Sequence, residues 1–163
     1  MMRHLLLLLS LIILNFFPVS SQSPERGTEL PISDKNASDL EFGYNGTTYL
    51  TANYDHIFYL KPVRYGPGLL FRAGLGDVIA PGYGMILMTE AAFTKGYLTF
   101  AELGAGYHGQ TYDGNWQHLP YFLAAFRYRS NGGISIRLIS RLIMNRSEEV
   151  PLFGLAASIG FTF

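Results

Sequence analysis

From about Asp39 to the end of the chain, hydrophobic and polar residues alternate with a period of two along almost every stretch. This is the mark of β-strands whose two faces meet different surroundings. In 68–76, Leu69, Phe71, Ala73 and Leu75 oppose Leu70, Arg72, Gly74 and Gly76. In 119–129, Phe122, Ala124, Phe126 and Tyr128 oppose Tyr121, Leu123, Ala125, Arg127 and Arg129. In 133–144, Ile134, Ile136, Leu138, Leu142 and Met144 oppose Ser135, Arg137, Ile139, Arg141 and Ile143. The final stretch, LFGLAASIGFTF, sets Phe153, Leu155, Ala157, Ile159, Phe161 and Phe163 against Gly154, Ala156, Ser158, Gly160 and Thr162. Strands are predicted over 39–44, 48–60, 68–76, 83–93, 96–108, 119–129, 133–144 and 152–163, separated by segments rich in turn residues. Asn45–Gly46 is a strong hairpin signal. The alternative is that 39–60 forms one long bulged strand. Most runs span about 9–12 residues, longer than the usual strand of a soluble sheet and near the length that crosses a bilayer.

Alternation alone does not say which face is inside, but the charges do. One face of each strand is almost free of charge. The other mixes glycines and small residues with Asp55, Arg72, Glu90, Glu102, Arg127, Arg129, Arg137 and Arg141. A water-exposed surface would carry more Lys, Glu and Asp, spread over every strand. Three acids and five arginines suit a narrow lumen in which opposite charges pair, with the apolar face turned to lipid. His56 breaks the apolar phase and is placed near an interface. In hydrocarbon an open sheet edge would strand backbone N–H and C=O groups, so the last strand has to pair with the first. The expected fold is all-β: an up-and-down antiparallel transmembrane β-barrel of eight strands. Tyr49, Tyr59 and the arginines fill its lumen, because an eight-stranded barrel is just wide enough for its own side chains. The bland reading of these charges is a structural plug of paired groups.

Composition adds a compartment. Twelve basic and twelve acidic residues leave no net field for a polyanionic partner, so nucleic acid is not expected. There is no cysteine, so stability outside the cytoplasm must come from something other than disulfides. Arg3 and His4 precede an apolar run from Leu5 to Phe17 and then Val19 and Ser21, the layout of a signal peptide cleaved after Ser21. The expected organisation is a signal peptide over 1–21, a periplasmic linker over 22–38 and a barrel over 39–163.

With these features, and with SIGFTF as its last residues, the chain resembles the small outer-membrane β-barrel proteins of Gram-negative bacteria. EFGYNGTTYLTANYDHIF likewise resembles the opening strands of an uncharacterised family of small barrels. The resemblance implies insertion in the outer membrane, in contact with its lipid and lipopolysaccharide. It also implies that the barrel-assembly machinery recognises the last strand through Ile159, Phe161 and Phe163.

No activity follows. The His-x-Ser spacing of lipid A deacylases is absent, since His108 is followed by Gly109 and Gln110, and His118 by Leu119 and Pro120. No catalytic residue, cofactor or metal ligand set is assigned, because nucleophile–base–acid and metal-ligand spacings are missing. The leading expectation is a structural or surface-interaction role with no open pore. A membrane-embedded lipid-modifying enzyme, a narrow gated channel and a soluble lipocalin-like periplasmic binder are the alternatives. Trp116, the single tryptophan, lies in the expected loop GQTYDGNWQ and is either a surface contact or an interfacial anchor.

Overall fold

The computed structural model describes residues 35–60, 67–80, 82–96, 98–112, 114–130, 132–144 and 151–163. The expected signal peptide, most of the expected linker, and the segments KPVRYG and NRSEEV lie outside them. Eight strands follow in order: β1 (Asn36–Tyr44), β2 (Thr48–Tyr59), β3 (Gly68–Ala80), β4 (Gly84–Gly96), β5 (Thr99–Tyr112), β6 (Asn115–Arg129), β7 (Ile134–Ile143) and β8 (Leu152–Thr162). Each pairs antiparallel with its neighbour in sequence, and β8 pairs with β1, so the sheet closes. Leu40 stands opposite Ile159, and Asn36 and Phe163 exchange backbone hydrogen bonds of 3.2 and 3.0 Å. Closure removes both sheet edges, as a barrel in hydrocarbon requires.

Residues 39–60 are a hairpin, not one strand. Its turn runs through Gly46, whose φ of 94° favours a residue without Cβ. Following paired residues once round the barrel from Phe100 leads through Arg127, Arg137, Ser158, Glu41, Thr51, Gly76 and Ile86 to Gln110. The path returns to β5 ten residues along. That stagger is even, so inward-facing residues meet only inward-facing residues, and it gives the strands the steep tilt of a narrow barrel.

The alternation seen in the sequence becomes two media. Leu138, Phe122 and Ile159 are 57–60% exposed on the outer wall. Among the described residues, five acids and five arginines are buried inside. Among the described strand residues the outward phase carries two charges, Asp77 and Lys95. An interior of this kind is the reverse of a lipocalin-like cavity, so the alternative with the apolar face inward is overturned. Apolar side chains including Ile57, Leu70, Met88, Leu123 and Ile139 fill the lumen around the charges. Glycines make the large side chains fit. A Cβ on Gly106 would come within 2.5 Å of the Tyr121 ring, and one on Gly43 would collide with the Tyr49 hydroxyl.

Several boundaries differ from the sequence reading. β1 starts at Asn36, inside the span expected as linker, because its polar first turn of chain pairs with β2 and β8. β3 runs on to Ala80, so most of DVIAPG is strand. β5 and β6 are 14 and 15 residues long and continue to Tyr112 and from Asn115, so GQTYDGNWQ is nearly all hairpin strand. These strand ends carry Gln, Thr, Asn and Gly. Cross-strand pairing continues there without the apolar phase that marks the rest.

Candidate functional site

The lumen is the most heavily built part of the molecule. Arg72 of β3 pairs with Asp55 of β2 at 3.0 Å, and Asp55 with Arg127 of β6 at 2.6 Å. Arg127 donates to Glu102 of β5 at 2.7 Å, and Glu102 accepts from Arg137 of β7 at 2.7 Å. Arg137 reaches Glu90 of β4 at 2.8 Å, and Glu90 accepts from Arg141 of β7 at 2.5 Å. Arg141 pairs with Glu41 of β1 at 2.6 Å, and Glu41 returns to Arg72 at 3.0 Å. The pairs form a closed, alternating ring of four arginines and four carboxylates, each group touching two of opposite sign. Asp39 joins from outside the ring, accepting from Arg72 at 2.5 Å and from the Asn53 amide at 3.1 Å.

Hydrogen-bonding tyrosines brace the ring. The Tyr49 hydroxyl donates to Glu41 at 2.9 Å and lies against Arg141. The Tyr121 hydroxyl donates to Glu90 at 2.9 Å, and the Arg141 guanidinium stacks 5.0 Å from the Tyr121 ring centre. A buried ion pair costs desolvation, and only dense pairing of this kind offsets it. β8 contributes no charge: its inward phase is Leu152, Gly154, Ala156, Ser158, Gly160 and Thr162. The Arg141–Glu41 pair therefore crosses from β7 to β1 over β8, and ties the closing seam from inside.

At the loop end a neutral layer lies above the ring. Buried His108 meets the Asn45 amide at 3.4 Å and the edge of the Tyr49 ring. The Thr47 hydroxyl lies 2.9 Å from Asn45 Oδ1 and 3.2 Å from Gln110 Oε1 and shares its one proton between these acceptors, and the Gln110 amide donates to Gln117 at 2.9 Å. Side chains thus span the lumen at two levels.

The eight charged residues singled out from the sequence all face inward. Seven are in the ring, and the Arg129 guanidinium lies 5.1 Å from the Phe100 ring centre. Asp39 and Glu41 were missed. The signal was there: they alternate with Leu40, Phe42 and Tyr44, but a six-residue run gave too few periods to fix its phase. Ile159 and Phe161 point outward on β8, Phe163 follows directly after it, and the three are 58–67% exposed. Trp116 stands on β6, not in a loop, with its ring over Gly109 and 6.4 Å from the ring of His118.

The described histidines sit on three separate surfaces. His108 faces the lumen, and His118 faces outward against Tyr107. His56 faces outward at the opposite end, 2.7 Å from Asn36 Oδ1 and edge-on to Phe58, as its break in the apolar phase implied. They converge on no common serine and acid. Among the described residues no group of His, Asp and Glu is arranged to hold a metal ion.

Fold and lumen together define the architecture of a small outer-membrane type of β-barrel: eight strands, up-and-down, apolar without and charged within. The structure is similar to the crystal structure of the N-terminal β-barrel domain of Pseudomonas aeruginosa OprF. The TM-score is 0.58 at 8% identity, over 80% of this chain and 98% of that one. Looser likenesses are to the outer membrane protein Ail of Yersinia pestis in a phospholipid bilayer nanodisc (TM-score 0.46, 10% identity, 80% and 99% covered) and to the S-type phycobiliprotein lyase CPES of Guillardia theta (TM-score 0.43, 8% identity, 81% and 89% covered). No protein-family profile and no curated protein sequence matches the chain.

Proposed function

We propose that the protein is an integral outer-membrane barrel, exported by a signal peptide cleaved after Ser21, with a structural or surface-contact role and an occluded lumen. The observation that carries this reading is the inversion of polarity: a lumen of buried charges, dense in ion pairs, and an apolar wall outside. In water that wall would be an exposed hydrophobic surface on every strand, which soluble monomers avoid. In a bilayer it is the required surface. The ring and the neutral layer above it leave the lumen crossed by paired side chains, which opposes solute passage. The bulky outward phase of Ile159, Phe161 and Phe163 supports recognition of β8 by the barrel-assembly machinery. The loop end, where β5 and β6 stand tallest, is the part suited to contact with lipopolysaccharide or the surroundings.

The test is expression in a Gram-negative host, membrane fractionation, and gel migration of the detergent-extracted protein with and without boiling. Recovery in the outer membrane with a heat-dependent shift is expected, together with no unitary conductance in planar bilayers. A soluble periplasmic protein without a shift would overturn the reading. Steady conductance steps would overturn the occluded lumen and favour a gated channel.

A further inference from the structure

The outward face of the β5–β6 hairpin carries a group that neither the lumen nor the apolar wall explains. Tyr107, Trp116 and His118 meet at its loop end, directly above the lipid-facing residues Ala105 and Leu103 of β5 and Pro120 and Phe122 of β6. Trp116 Nε1 donates to the Tyr107 hydroxyl oxygen at 3.4 Å, and that hydroxyl is hydrogen-bonded to His118 Nδ1. The Trp116 ring lies over Gly109, where a Cβ would collide with it, so the absence of a side chain makes the arrangement possible.

The direction of these bonds follows from the groups. Indole N–H can only donate, so the Tyr107 oxygen accepts from it. The Tyr107 oxygen already accepts from Trp116, so we assign the phenolic proton to the bond with His118 Nδ1, the arrangement that uses the donors of all three groups. A neutral imidazole with Nδ1 accepting carries its proton on Nε2. The relay therefore ends in one N–H donor on an exposed ring, held in a fixed tautomer by the other two. At the opposite end the logic is reversed. Asn36 Oδ1 is an acceptor and takes both the Tyr54 hydroxyl at 2.8 Å and His56 Nδ1 at 2.7 Å, which leaves His56 Nε2 as an acceptor.

We propose that His118 Nε2–H, oriented through Tyr107 and Trp116, is a hydrogen-bonding site for the phosphate of a lipid headgroup at the loop end of the barrel. This rests on the membrane reading above. The continuity of the cluster with the lipid-facing wall sets its occupant. Aromatic rings at that height lie among headgroups, where the oxyanion at hand is phosphate. Neutral indole and phenol surfaces flank the donor, which suits a headgroup whose phosphate continues into apolar chains.

The test uses the ¹⁵N-labelled mature protein in two micelles, one of dodecyl maltoside, which has no phosphate, and one of dodecylphosphocholine. NMR reads the imidazole N–H signals, and the His118→Phe variant, which keeps a ring and removes the donor, assigns the one from His118. A downfield, slowly exchanging Nε2–H signal in phosphocholine alone is the expected result. In Tyr107→Phe it should weaken several-fold as the tautomer is released. The same signal in both micelles would overturn the proposal, and so would a proton on Nδ1. If inorganic phosphate added to maltoside micelles reproduces the signal, the site takes free phosphate and the lipid source is wrong. Heat-dependent gel migration, run on the same samples, separates the two readings. A shift without the phosphate signal sinks this site alone, whereas no shift in either micelle sinks the membrane reading and this one with it.

Discussion

Arg137 and Leu138 are neighbours in β7, yet they belong to different solvents. Arg137 is 1% exposed and bonded to Glu90 and Glu102; Leu138 is 57% exposed on the outer wall. A strand presents successive residues to opposite faces, so one peptide bond separates the most polar layer of the molecule from the most apolar. Soluble barrels resolve the same alternation the other way, with charge outside, where water makes it cheap. Here charge is inside and must be neutralised by charge, because desolvated single ions are not tolerated. The order of the ring is the solution, and the apolar wall is its counterpart.

The comparison is broken most severely from the inside. Arg137→Met leaves Glu90 and Glu102 with one arginine each, Arg141 and Arg127 respectively. Removing one member of a buried pair costs about 3–5 kcal/mol, and a cost of that size is expected here. Urea titration of the barrel refolded into vesicles, read from the folded gel band, measures it. Unchanged stability would mean that the ring is incidental.

Next in size is the opposite error, charge placed outside. Leu138→Arg puts a guanidinium near the middle of β7 on the lipid face, where the cost is about 2–4 kcal/mol at the bilayer midplane. The same substitution on a water-exposed surface changes stability by only about 0.5 kcal/mol. The pair of measurements on two adjacent residues therefore tells lipid from water without any imaging. A smaller effect is expected for Asp39→Asn, about 1 kcal/mol in the same titration. Arg72 keeps Asp55 and Glu41, and the group lost is a third carboxylate on a cation already balanced. A loss as large as that of Arg137 would show that Asp39 belongs to the ring on equal terms.

The wall was far more legible than the ring. Eight strands, their antiparallel order and their inward and outward phases follow from period-two alternation and from charges gathered on one phase. Closure follows from the physics of backbone groups in lipid. What alternation cannot carry is which charge meets which. Arg141 and Glu41 lie one hundred positions apart and meet over β8, a contact set by the stagger of the sheet and not by any local pattern. The same holds for Tyr107, Trp116 and His118. Each is visible as a polar or aromatic residue near a turn, but their convergence needed the hairpin to continue as strand past the point where apolar alternation stops.

The smallest effect is expected at the residue paired in register with Arg137. Ser158 of β8 faces it across the sheet and is as deeply set in the lumen, 4% exposed. Burial alone would rank the two together. The ring separates them, because Ser158 bonds to none of its members through its side chain, whereas Arg137 joins two. Ser158→Ala should change stability by no more than about 0.5 kcal/mol, since the methyl group of alanine fits where the serine Cβ already stands. Ser158→Asp should behave quite differently. It adds a carboxylate beside a ring whose four carboxylates already match its four arginines, and a buried, uncompensated charge destabilises by several kcal/mol. If both variants are silent, the lumen is hydrated enough to screen its charges, and the contrast between the two faces of the wall is weaker than the packing implies. If alanine is silent and aspartate is not, β8 is a neutral panel that the ring crosses without using, and charge balance inside the barrel is a property of the other seven strands.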